Sequence, residues 1–167
     1  LKDPAKIDEL EALVITKEGT PNRDYIGKDA EYILSKIGIY PEKPTRLIIA
    51  ETTCEHPFFT EELMMPILPI VRVKNVDEAI ELAVKAEHGY RHTAIMHSKN
   101  VDHLTKCARE IQTTIFVKNA ASYAGIGFGG EGYTTFTIAG PTGEGLTSAR
   151  SFTRKRRCVL AGGFLIK

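Results

Sequence analysis

The chain carries no excess of either charge: 22 Lys and Arg stand against 21 Asp and Glu across 167 residues. A net charge this close to zero creates no bulk field that would draw nucleic acid or an anionic membrane. No apolar run reaches the roughly 18 residues needed to span a bilayer, and no charged-then-apolar leader opens the chain. These absences predict a soluble cytoplasmic protein. Cysteine is scarce and oddly counted, with Cys54, Cys107 and Cys158 far apart. That excludes a disulfide framework and a cysteine zinc site, and a reduced compartment is the simplest reading. His88, His92, His97 and His103 lack metal-ligand spacing such as HExxH, so no metal is expected. His92 and His97 flank a short strand pattern and read as local hydrogen-bonding groups.

What is present describes a folded α/β domain. Hydrophobic residues make up 43% and charged residues 26% of the chain, a globular and not a disordered balance. Ile7, Leu10, Leu13 and Val14 fall at helical spacing within residues 6–17, after Pro4. Ala30, Ile33, Leu34 and Ile37 repeat the pattern within 28–37, and Gly38 supplies a stop. Between them residues 18–22 are turn chemistry. From Arg46 the pattern alternates: strands at 47–50 and 67–73, a helix at 77–87 capped by Asn75, and a strand at 93–96. A helix at 101–111, with Cys107 on its packed side, and a strand at 114–117 complete it. This order predicts a largely parallel sheet with right-handed βαβ crossovers. The tail changes character, with Arg154-Lys155-Arg156-Arg157 leading into a predicted strand at Cys158-Val159-Leu160. The basic run reads as a polar strand edge or interface, or as a binding patch for phosphate or nucleic acid. An unpaired edge of this kind is an association hazard.

Two tracts are poor core material and point to a ligand. The first, residues 113–145, opens as a β-branched strand and continues through Gly125-Ile126-Gly127-Phe128-Gly129-Gly130. Glycine buries no side chain and costs backbone entropy, so such a run suits close approach of backbone to a ligand. It formally matches GxGxxG, but a dinucleotide fingerprint must open a helix, and Tyr133-Thr134-Thr135-Phe136-Thr137-Ile138 reads as β. The second tract is Glu61-Glu62-Leu63-Met64-Met65-Pro66-Ile67-Leu68-Pro69-Ile70. Cys54 with His56, and Glu51 nearby, has the residue types of a thiolate–imidazole pair, although an isolated Cys-x-His is a weak motif.

On those two tracts the chain resembles the C-terminal part of a bacterial CoA-acylating aldehyde dehydrogenase, the type acting on acetaldehyde or propionaldehyde. The resemblance covers nearly all of the chain and is strongest from about Arg46 to Leu160. It implies the catalytic-domain portion of that fold over residues 1–150 and an oligomerisation strand over 151–167. It also implies a nucleotide-binding domain and a nucleophilic cysteine upstream of Leu1, so no catalytic residue is assigned within this chain. Glu62 corresponds to the glutamate of a Glu-x-Phe-Gly-Pro motif that grips the nicotinamide ribose hydroxyls. Pro66 matches the motif's proline, while Met64 and Met65 replace Phe and Gly. Glu62, Met64 and Pro66 are therefore the expected cofactor-binding residues, and an exposed helix-end glutamate is the plain alternative.

By the same register Tyr123 and Phe128 line the aldehyde tunnel, with simple packing as their alternative. The implied reaction converts a short aldehyde, CoA and NAD to acyl-CoA and NADH through a cysteine thioester. A homo-oligomer is the family habit, and a bacterial microcompartment is a setting such enzymes often serve. A different class of reading is a non-catalytic module that binds a full-length subunit through its tail.

Overall fold

The longer helices and the strands form where apolar spacing and turn chemistry place them. The computed structural model describes residues 1–130, 149–159 and 161–162. The chain divides into two compact units, Leu1–Ala86 and Glu87–Lys167.

In the first unit α1 is Pro4–Val14, opened by the Asp3 carboxylate, which accepts from the Ala5 amide at 3.1 Å. Helix α1 ends where Ile15 turns extended and bridges Pro21. Asn22 ties that turn down, its side chain donating to the Leu13 carbonyl at 3.0 Å. Helix α2 is Ala30–Lys36. Strand β1 (Ile48–Thr52), a single helical turn α3 (Pro57–Thr60), strand β2 (Ile67–Val71) and α4 (Val76–Ala86) follow. β1 and β2 pair in parallel with Ile48 opposite Ile67 and Thr52 opposite Val71. The expected strand at 67–73 thus stops two residues early. Pro69 is tolerated because β2 is an edge of its two-stranded sheet among the described residues.

The anticipated apolar faces become the core: Ile7, Leu10 and Val14 of α1, Ala30, Ile33 and Leu34 of α2, and Ile48, Ala50 and Ile67 of the sheet. Full burial of each large aliphatic contributes about 1.5–3 kcal/mol. Asn75 accepts from the Glu78 amide at 2.9 Å and starts α4, as its position predicted.

The second unit contains β3 (Thr93–Met96), α5 (Val101–Ile111) and β4 (Ile115–Lys118), the strands again parallel, with Thr93 opposite Ile115. Cys107 and Ile111 form the buried side of α5. A 3-10 turn, Ser122–Ile126, follows β4, and a second lies at Ala149–Phe152. Residues 154–159 are exposed and carry no assigned strand, so the strand expected at Cys158 and Val159 is not formed there. A strand needs a neighbouring edge to pair with, and residues 154–159 pair with none among the described residues. Leu160 and residues 163–167 lie outside the described residues, as do Tyr133 to Ile138.

Candidate active-site surfaces

The Glu62 tract forms the loop between α3 and β2. Its conformation follows from one buried anchor: Leu63 is in the core, and the residues around it turn outward. Glu62 is exposed, with no hydrogen-bond or ion-pair partner among the described residues. Met64 is exposed and adopts φ of +53°, an uncommon conformation for a side chain larger than glycine. Its carbonyl accepts from the Gly27 amide at 3.4 Å, which joins this loop to the segment before α2.

A groove of about 720 Å³ opens at that junction, lined by residues 27–31, 44–46 and 64–66. The expected residues Met64 and Pro66 line it, and Glu62 does not. Lys28 and Arg46 also line it, and nothing in the sequence pattern singled them out. Across one edge the Glu31 carboxylate accepts from the Thr45 amide at 2.7 Å. The groove's charged lining is Lys28 and Arg46 with Asp29 and Glu31, so cations that could meet a phosphate stand beside carboxylates that accept from hydroxyls.

Tyr123 and Phe128 meet in the second unit. Their rings stand edge-to-face with centroids 6.4 Å apart, and the Phe128 amide donates to the Tyr123 carbonyl at 3.0 Å. The glycine run between them forms the 3-10 turn and a bend, not the opening of an α-helix, which sets aside the dinucleotide fingerprint for its described part.

The Cys54 and His56 pairing is not made. The Cys54 thiol donates to the Glu55 carboxylate at 3.0 Å. That hydrogen bond, with desolvation and the adjacent negative charge, raises the thiol's pKa, the reverse of nucleophile activation. His56 Nδ1 accepts from the Phe58 amide at 3.1 Å and caps α3. Its Nε2 lies 3.0 Å from the Glu11 carboxylate, a close polar contact without hydrogen-bond alignment. Glu51 pairs through both oxygens with Arg72, at 2.5 and 3.3 Å, which lowers its pKa. Burial raises the Cys107 thiol, with Glu110 adding to the effect. His92 shares a 2.7 Å hydrogen bond with the Thr93 hydroxyl, as expected of a local role. Among the described residues no cluster of His, Cys, Asp or Glu could hold a metal, and no helix is long and apolar enough to cross a membrane.

Comparison with known proteins gives a consistent set of relatives. The chain is 54% identical to a CoA-propanoylating propanal dehydrogenase of Salmonella typhimurium, over 100% of this chain and 36% of that protein. It is 56% identical to an acetylating acetaldehyde dehydrogenase of Escherichia coli K12, over 89% of this chain and 32% of the relative. The crystal structure of Rhodopseudomonas palustris propionaldehyde dehydrogenase with bound propionyl-CoA superposes with a TM-score of 0.88 at 61% identity, covering 96% of this chain and 35% of that one. A propionaldehyde dehydrogenase from a fucose-utilisation microcompartment of Clostridium phytofermentans gives 0.86 at 55% identity, over 96% of this chain and 37% of that one. The chain therefore spans about a third of the length of the relatives it matches. The aldehyde dehydrogenase family model matches residues 38–152, and the chain belongs to the aldehyde dehydrogenase family.

Proposed function

We propose that residues 1–150 form the C-terminal portion of the catalytic domain of a CoA-acylating aldehyde dehydrogenase. The whole enzyme converts a short aldehyde, CoA and NAD to acyl-CoA and NADH. The observation that carries this reading is the Glu62-to-Pro66 loop, anchored by buried Leu63, presenting a free carboxylate beside a groove that bears Lys28 and Arg46. Glu62 accepts hydrogen bonds from a ribose diol of the cofactor, and Met64 and Pro66 shape the groove beside it. The nicotinamide, when bound, takes up hydride from the substrate. Tyr123 and Phe128 give the aldehyde's alkyl group an apolar wall that excludes water and fixes orientation. By the family resemblance the nucleophilic cysteine belongs to another part of the enzyme, and Cys54, whose thiol donates to the Glu55 carboxylate, is not arranged as an activated thiolate. The tail from 151 to 167 serves subunit assembly in a homo-oligomer; the exposure of residues 154–159 supports that role. One relative comes from a bacterial microcompartment, and the same setting suits an enzyme that handles a reactive aldehyde.

Two measurements test this. The purified chain, given propionaldehyde, CoA and NAD, should form no NADH. Turnover abolished by Cys54→Ala would relocate the active site to this chain. The second is a chimera in which residues 1–160 replace the matching segment of the R. palustris enzyme. It should form NADH with propionaldehyde and CoA, and Glu62→Gln in it should raise KM for NAD about tenfold. Hydrogen bonds to a charged group are worth about 1.5–3 kcal/mol, so tenfold is the lower end of that loss. A folded but inactive chimera would favour a non-catalytic module that binds a full-length subunit.

A further inference from the structure

We propose that Asn119 is the positioning residue of the Tyr123–Phe128 aromatic pair, holding it by a three-point clasp across the ends of β3 and β4. Asn119 follows Lys118, the last residue of β4. Its backbone amide donates to the carbonyl of Met96, the last residue of β3, at 3.0 Å. Its side-chain Nδ2 donates to the Ser98 carbonyl at 2.9 Å, and its Oδ1 accepts from the Ser98 amide at 2.8 Å. The carboxamide thus acts as a peptide group and extends the pairing past the end of the sheet.

Two demands select asparagine. The backbone is left-handed, φ of +56°, which Asn tolerates better than most side chains. The Ser98 peptide needs a donor and an acceptor together, which a carboxylate cannot supply.

Only Ala120 and Ala121 separate this clasp from the 3-10 turn that carries Tyr123. The turn has a second seat. A Cβ on Gly125 would lie 2.3 Å from Ile115 Cγ2 and 3.0 Å from Val117 Cγ2, so the backbone rests directly on β4. The rings themselves do not hold the arrangement: Tyr123 is 64% and Phe128 78% exposed. Side chains this open make few packing contacts, so their place comes from the backbone that bears them. With the turn seated by Gly125, the remaining freedom is at its entry, where Asn119 acts. The link to aldehyde recognition rests on the substrate-wall reading above; the clasp itself does not.

The test is NMR of the full chain labelled at Tyr and Phe. Wild type should show ring-to-ring NOEs between Tyr123 and Phe128. Asn119→Gly keeps the left-handed backbone accessible and deletes the carboxamide. It should lose those NOEs and shift the Gly125 amide, while the β3–β4 amides stay in place. Asn119→Asp retains the acceptor for the Ser98 amide only, so its NOEs should be intermediate. The order Asn, Asp, Gly supports the proposal; equal NOEs in all three, with the sheet intact, overturn it. If Asn119→Gly unfolds the β3–β4 pair, Asn119→Asp decides the matter by itself: reduced NOEs support the clasp and unchanged NOEs overturn it. Propionaldehyde titrated into wild type reports separately on the substrate wall. Ring resonances that do not move, together with the expected NOE order, remove the wall reading and leave the positioning role standing.

Discussion

Cys54 shows how one neighbour decides what a thiol can do. A carboxylate that accepts the thiol's hydrogen bond stabilises the protonated form, and its negative charge opposes the thiolate. The titration midpoint therefore lies above that of an ordinary cysteine, and the reactive thiolate appears only at higher pH. Alkylation by iodoacetamide, followed against pH, should be slow near neutrality and rise late. Glu55→Gln should move the profile to lower pH and accelerate labelling at pH 8 several-fold, because rate follows thiolate population. Identical profiles would mean that Glu55 does not control this thiol. The Cys-x-His spacing could not show this outcome, because the residue that governs Cys54 stands between the pair and the histidine is taken up as a helix cap. Met64 and Asn119 were opaque for another reason: positive φ at a non-glycine residue leaves no mark in composition or periodicity.

Among the elements, α5 was legible at its full extent, since the helix expected at 101–111 forms with those bounds and with Cys107 buried, while its Asn100 cap was not foreseen. The Asn100 carboxamide oxygen accepts from the Asp102 and His103 amides at 2.9 and 3.2 Å. Those are two of the donors that a helix N-terminus leaves unpaired. Asn100→Ala should cost about 0.5–2 kcal/mol, read from the denaturant midpoint of the second unit. A change within error would mean that water replaces the cap. The parallel pairings followed from the same agreement of strand and helix patterns. Helix α3 escaped notice because a single turn has no period to detect. Its cap is histidine, outside the usual Ser, Thr, Asp and Asn set, and only Pro57 at its start was a readable signal. The 3-10 turn after β4 escaped for a related reason: glycines that permit close backbone approach do not specify which turn they make. The groove was half legible, since Met64 and Pro66 carry a motif while Lys28 and Arg46 reach it from segments distant in sequence.

At the scale of the whole chain, the outer face of the β1–β2 sheet has consequences for behaviour in solution. Ile49 is 45% and Leu68 48% exposed, and the two are register partners on the same face. Leu47 and Ile70 extend this apolar surface, and the Glu51–Arg72 pair is the polar element beside it. Parallel strands in folded proteins are normally covered on both faces, and an open apolar patch favours association. The chain in isolation should therefore self-associate as its concentration rises through the micromolar range, followed by sedimentation velocity. The basic run at 154–157 offers a competing cause, and salt separates the two. Association through the apolar face should persist or strengthen in 0.5 M sodium sulfate, because excluded kosmotropic salts favour burial. Association through the basic run should weaken as added salt shortens the Debye length well below its ~8 Å at physiological strength. The double variant Ile49→Thr, Leu68→Thr removes apolar surface from the face and leaves the tail untouched. If it remains monomeric where wild type associates, the sheet face is the cause; if it associates as before and salt disperses it, the tail is.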